Sequence, residues 1–247
     1  MDEALVTAKY IEEAQKIAVL SGAGISTNAG IEDFRGEKGI YTLKKYDPYK
    51  TFDYKYFLID QKPFYDFARN LINLLEKAQP TFTHKFFAQL EKSGKSVTIV
   101  TQNIDLLHER AGSSKIINLH GSIENSYCIN CGKKYSLEEM KKKIFDTEVP
   151  TCDSCGGIIK PDVVFFEEDV KSFDEAVKEI SSSDLLIIAG TSLEVYPAAM
   201  LHEYAKGRIV VVVKGLKSFR GRFDCLVQED TDEFFRRVSS YLNEKIK

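Results

Sequence analysis

Short continuous runs of aliphatic and β-branched residues recur along the chain, at Lys16 to Ser21, Val97 to Thr101, Ile116 to Leu119, Val163 to Phe166, Leu185 to Ala189 and Ile209 to Val213. They do not alternate with polar residues, so both faces of each run should be buried, as in a parallel sheet covered by helices. Between them lie helix-like stretches at 3–15, 62–77, 81–93, 136–145, 172–183 and 231–246. Two of these open with the spacing of a capping box, Ser136 with Glu139 and Ser172 with Glu175. Strand and helix taking turns predict an α/β fold, a doubly wound parallel sheet with helices on both faces and ligands at the C-terminal strand ends.

Two regions break the alternation. Residues 36–70 hold many aromatics and lysines but no clear strand, and residues 121–162 hold paired cysteines. Both read as parts of a smaller module lying over the strand ends. With 247 residues, 43% apolar and 29% charged, the chain can bury a core without disulfides. Lys and Arg number 34 against 37 Asp and Glu, a net charge of −3, which gives no electrostatic reason to expect a nucleic-acid or anionic-membrane partner. No apolar run approaches the roughly 18 residues of a membrane span, and the start, Met1-Asp2-Glu3, is acidic where a secretory signal is basic. These features predict a soluble, cytoplasmic protein.

Four of the five cysteines fall as Cys128-x2-Cys131 and Cys152-x2-Cys155, with Cys225 apart in an apolar segment that suits a small core residue. Two such pairs can close a tetrahedral zinc site with no open position for water, so the metal is structural. A ribbon that grips nucleic acid is the rival reading, but residues 120–160 carry six Lys and no Arg against six acids, a neutral balance.

After the first apolar run comes Gly22-Ala23-Gly24-Ile25-Ser26-Thr27, where glycines let backbone approach a phosphate. Thr27 stands where a dinucleotide fingerprint has its third glycine, and no ribose-binding acid follows at the usual distance, so an ordinary dehydrogenase site is excluded. Alone, the turn fits a nucleotide loop or a tight structural turn. Gly190-Thr191-Ser192 after another buried run favours a dinucleotide across the switch point. Asp33-Phe34-Arg35 follows the first turn and reads either as part of a site or as an ion-paired helix end. Thr101-Gln102-Asn103-Ile104-Asp105 and His120 follow other strand-like runs. A histidine there is commonly structural, yet beside a cleft its ordinary pKa of about 6.5 suits a base. His84, His108 and His202 sit on helix-like faces and are assigned to structure.

In order and spacing, GAGIS at 22–26, DFRG at 33–36, TQNID at 101–105, LHG at 119–121, the four cysteines, PDVVFF at 161–166 and GTSLEVYPAA at 190–199 resemble the sirtuin family of NAD-dependent protein deacylases, in particular its short prokaryotic members. The likeness spans nearly the whole chain. It implies a Rossmann-like domain of residues 1–35, 80–120 and 163–247, with a small domain formed by a helical insertion at 36–79 and a zinc ribbon at 121–162. It implies NAD as co-substrate, one structural zinc and acyl-lysine proteins or peptides as partners.

Carried over residue by residue, the resemblance puts Gly22, Ala23, Gly24, Thr27, Gly190, Thr191 and Ser192 at the diphosphate and ribose, and Asp33, Phe34 and Arg35 on a loop over NAD. Gln102 and Asn103 meet the ribose and an ordered water, Ile104 and Asp105 hold the nicotinamide carboxamide, and Lys214 and Thr231 lie at the adenosine end. His120 becomes the general base, with Asn103 also catalytic. In the family mechanism the acyl oxygen attacks the ribose carbon as nicotinamide leaves; His120 then draws a proton through the ribose hydroxyls, giving free lysine and O-acyl-ADP-ribose. The peptide adds as a strand between the segment after Phe166 and Glu194-Val195-Tyr196, and Val164, Phe166 and Phe34 line the acyl-lysine tunnel.

Several positions depart from the family pattern. Ala68 stands where members selective for acidic acyl groups have an arginine three residues after the tyrosine matched by Tyr65, which implies an uncharged acyl group. Glu167 replaces a glycine beside the peptide, Lys214 an asparagine at the adenosine ribose, and Glu229-Asp230-Thr231 a glycine-bearing turn. Two other readings fit the same pocket: an ADP-ribosyltransferase or NAD glycohydrolase, and a non-catalytic sensor of NAD or ADP-ribose.

Overall fold

The structure, a computed structural model, describes residues 2–33, 39, 45–215 and 221–244. Phe34 and Arg35, read from sequence as parts of the nucleotide site, lie outside these residues. The described strands of the main sheet are β1 (Lys16–Ser21), β2 (Ser96–Thr101), β3 (Ile116–Asn118), β7 (Leu185–Ala189), β8 (Arg208–Val212) and β9 (Cys225–Val227). They lie in the order β3-β2-β1-β7-β8-β9, every pair parallel. Counted in chain order this is the 3-2-1-4-5-6 order of a Rossmann sheet, with its switch point between β1 and β7.

The apolar runs lack polar alternation because helices cover both faces. Ile17, Val19, Ile99, Ile187 and Val210 pack with residues of α1 (Glu3–Glu13), α5 (Phe82–Lys92) and α9 (Thr231–Glu244). Ala18, Leu20, Val100, Leu186, Ile188 and Val211 pack on the opposite face with α8 (Phe173–Ser181) and the 3-10 turn Ala198–Tyr204. Cys225 is buried in the first of these cores, as its apolar setting predicts.

A second sheet has three antiparallel strands, β4 (Gly121–Cys128) flanked by β5 (Lys134–Ser136) and β6 (Ile159–Val163). Its core also takes residues from α2 (Pro48–Phe52), α3 (Tyr54–Ile59), α4 (Lys62–Lys77) and α7 (Leu137–Asp146). α2 and α3 start where Asp47 and Asp53 accept backbone amides as N-caps. α4 places Phe64, Tyr65, Phe67, Ala68 and Ile72 on one buried face.

Two expectations are corrected. Val163 to Phe166 is not a strand of the main sheet: β6 ends at Val163, after which Val164 donates its amide to the His120 carbonyl (2.9 Å) and Phe166 donates to that of Phe52 (2.8 Å). The run is apolar because it is threaded between the two sheets. The Ser172–Glu175 capping box does not form, because Ser172 adopts a left-handed conformation (φ 49°) and its side chain makes no cap bond. The Ser136–Glu139 box is present in both directions. Among the described residues no helix is long and apolar enough to cross a membrane.

Candidate active site and metal centre

The loops leaving β1 and β7 meet at the switch point, where Gly22 donates to the Ala189 carbonyl (3.1 Å) and Gly24 to that of Gly190 (2.8 Å). A Cβ on Gly24 would stand 2.8 Å from Gly190 Cα, and one on Gly190, whose φ is +65°, would stand 2.4 Å from the Ile25 nitrogen. These glycines therefore let two loops interlock, a role the phosphate-approach reading did not include. The interlock leaves Ala23 half-buried and Thr27 exposed on the 3-10 turns Ala23–Ile25 and Thr27–Ala29, with Thr27 Oγ1 donating to the Gly24 carbonyl (3.0 Å).

The 101–105 segment docks onto both loops. The Gln102 amide donates to the Ser21 carbonyl (3.0 Å) and its side chain to Thr191 Oγ1 (3.0 Å). Asn103 Nδ2 reaches the Gly22 carbonyl (3.3 Å) and Ser26 Oγ (3.2 Å). Ser26 Oγ donates to Asp105 Oδ2 at 2.6 Å, and Asp105 Oδ1 accepts the Leu107 amide at 2.9 Å. Burial pushes the Asp105 carboxyl up from its ordinary range, opposed by these two hydrogen bonds. Sequence reading gave Ser26 no role of its own, although its place in the GAGIS turn is the signal that could have found it. Ile104 turns to the small sheet's core and borders an apolar cavity of about 50 Å³ with Phe52, Phe67, Ala68 and Val163.

His120 is half-buried between β3 and β4, its Nδ1 2.9 Å from the Gln102 carbonyl oxygen. Desolvation lowers its pKa below the ordinary 6.5, against the opposing effect of that hydrogen bond. A Cβ on the next residue, Gly121 at φ +73°, would lie 1.9 Å from the Asp162 carbonyl oxygen, so only glycine allows β6 to pass this close. Val164 and Phe166 follow on that strand's exit, Val164 half-buried and Phe166 exposed. Ser192 and Val195 are half-buried, Glu194 and Tyr196 exposed, on the segment after β7. Asp33 is half-buried beyond the first loop.

Beyond the first of these loops, Asp230 caps α9 through the Asp232 and Glu233 amides and accepts from Asn28 Nδ2 (3.0 Å). Thr231 Oγ1 is buried without a hydrogen-bond partner among the described residues, and Lys214 is exposed after β8. Tyr65 is buried, donating to the Ile159 carbonyl (2.6 Å), while Arg69 faces the Ile144, Thr147 and Glu148 carbonyls.

The Sγ atoms of Cys128, Cys131, Cys152 and Cys155 lie within 4.8 Å of one another. The Cys128–Cys155 and Cys131–Cys152 separations are 3.5 and 3.6 Å, close to the edge of roughly 3.8 Å of a tetrahedron with Zn–S bonds of about 2.3 Å. The Tyr135 hydroxyl donates to Cys152 Sγ (3.1 Å), a contact of the kind that orients thiolate ligands. This donor set fits one structural zinc. β4 runs from beside His120 to Cys128, so the cluster lies at the far end of that strand from the imidazole.

The Sir2 family model matches residues 22–197. The chain is 41% identical over 233 residues to the NAD-dependent protein deacetylase of Thermotoga maritima, covering 92% of this chain and 94% of the relative. It is 39% identical over 236 residues to that of Clostridium acetobutylicum, covering 93% and 95%. Among solved structures it superposes with a TM-score of 0.88 on a Sir2 variant with deacetylated p53 peptide and 3'-O-acetyl ADP ribose, at 40% identity over 95% of this chain and 96% of that one. A Sir2–p53 peptide–NAD+ structure gives 0.87 at 38% identity, over 98% of each chain.

Proposed function

The chain belongs to the Sir2 family and is an NAD-dependent protein deacetylase, and we propose how its residues divide the work. The net reaction takes acyl-lysine, NAD and water to lysine, nicotinamide and O-acyl-ADP-ribose. NAD, when bound, supplies both the leaving group and the ribose that accepts the acyl group.

His120 is the general base. A carbonyl can only accept, so Nδ1 carries a proton and Nε2 presents its lone pair, and the lowered pKa keeps the ring neutral at pH 7. This pairing is the observation that carries the reading. Gln102 serves twice, its carbonyl orienting His120 and its side chain Thr191 at the ribose. Asp105, fixed by Ser26, and Ile104 hold the nicotinamide carboxamide. Asn103, braced on the Gly22 carbonyl, orders a water and the ribose. Ala23, Thr27, Asp33, Phe34, Arg35 and Ser192 line the diphosphate and ribose, and Lys214 and Thr231 the adenosine end. Such a constellation acts by holding a weak amide nucleophile in line, dry and oriented.

Acyl-lysine protein segments are the substrates, laid between the turn after Phe166 and Glu194-Val195-Tyr196, with Val164 and Phe166 around the lysine stem. The four thiolates suit a reducing compartment, which supports a cytoplasmic location. Incubating the protein with an acetyl-lysine peptide and following products by mass spectrometry tests the reading. Lysine peptide and O-acetyl-ADP-ribose should appear in equal amounts and only with NAD; NAD-independent deacetylation would overturn it.

A further inference from the structure

Glu167 is held where a side chain is disfavoured. Its φ is +72°, in the left-handed region that glycine occupies without strain. Both neighbours are locked. Phe166 donates to the Phe52 carbonyl (2.8 Å) and accepts from the Tyr54 amide (3.3 Å). Glu168 accepts the Phe165 amide (2.8 Å) and the ammonium of buried Lys160 (2.8 Å), which also donates to the Val163 carbonyl (2.7 Å). The turn thus forces Glu167 outward at its apex, its side chain 51% exposed. Its carboxylate meets Lys55 Nζ at 2.6 Å, and that lysine side chain is 74% exposed.

On the reading given above, this apex is one rail of the peptide groove and the segment with Glu194 is the other. Glu168 is neutralised by Lys160 inside the turn, so the ion pair that the apex itself presents to solvent is that of Glu167 with Lys55. We propose that Glu167 selects substrates with a basic residue next to the acyl-lysine, with Lys55 as the built-in competitor for its carboxylate. The inference rests on the deacetylase reading and on that placement of the peptide. A substrate arginine that takes the place of Lys55 trades one exposed ion pair for another and adds a fork-shaped contact that lysine cannot make.

Turnover of acetyl-lysine peptides differing only in the flanking residue (Arg, Ala or Glu) tests it, at saturating NAD and at low and high salt. The Arg peptide should exceed the Glu peptide in kcat/KM by about two- to five-fold at low salt, the scale of exposed ion pairs, and the gap should close at high salt. Lys55→Ala should widen the ratio. Glu167→Gln should abolish or invert it, and Glu167→Gly should do the same while raising the melting temperature. Equal turnover of all three peptides, or an unchanged ratio in Glu167→Gln, overturns this proposal and leaves the deacetylase reading standing. No NAD-dependent turnover of any peptide overturns both.

Discussion

The imidazole of His120 donates through Nδ1 to the carbonyl oxygen of Gln102 at 2.9 Å, and the Gln102 side chain donates to Thr191 at 3.0 Å. One residue therefore ties the proposed base to the loop after β7. Since burial lowers the His120 pKa, its protonation should limit the reaction only below pH 6.5. The expected kcat/KM profile is flat from pH 7 upward on the base side and falls in acid. An acid limb centred above pH 7 would contradict the geometry.

Removing the zinc should remove the activity without touching His120. Cys155→Ala breaks a ligand that is itself exposed, and four-thiolate sites contribute on the order of 10 kcal/mol to folding in peptide models. Metal analysis should find one zinc per chain in the parent protein and none in the variant. Turnover should fall in step with metal lost to a chelator, with a change in near-ultraviolet circular dichroism.

The interlock of Gly24 with Gly190 leaves no room for a methyl group. Gly190→Ala would set Cβ 2.4 Å from the Ile25 nitrogen at a positive φ, so a loss of about 2–3 kcal/mol in stability is expected. Calorimetry should also show weakened NAD binding, because Ala23 and Thr27 ride on the displaced loop.

His84 and His108 form a buried pair with ring centroids 4.7 Å apart. Burial pushes His84 down to about 4, opposed by Asp232, and places His108 well below its ordinary value, with His84 adding to the effect. Both values lie below that of the unfolded chain, near 6.5. Their stabilisation is therefore complete above pH 6.5 and lost as pH falls toward 4. For His84 this amounts to about 2 kcal/mol between pH 6.5 and 5, a range in which most carboxylates stay ionised. Urea midpoints that do not change between pH 7 and 5 would contradict it.

The main sheet was legible because burial on both faces leaves uninterrupted apolar runs, and β1 begins and ends where its run does. α4 was legible through its amphipathic spacing. β4 was not, since Ser122, Ile123, Glu124 and Asn125 lie on a half-exposed strand where no alternation survives. Val163 to Phe166 misled because an apolar segment threaded between two sheets looks like a central strand. Ser172 misled because capping spacing says nothing of backbone handedness. At the site, strand-end position and motif resemblance brought out Gln102, Asn103, Asp105 and His120. The Ser26–Asp105 bond, spanning 79 residues, has no local signature.

The central claim is that His120, oriented by Gln102, serves a reaction in which nicotinamide departure is coupled to acyl-lysine. Its most direct test is nicotinamide release with and without an acetyl-lysine peptide, in the parent protein and in His120→Ala. The account predicts release that depends on peptide in the parent, and turnover to free lysine lower by about 10² to 10⁴ in the variant. Release without peptide, or full turnover in His120→Ala, would contradict it.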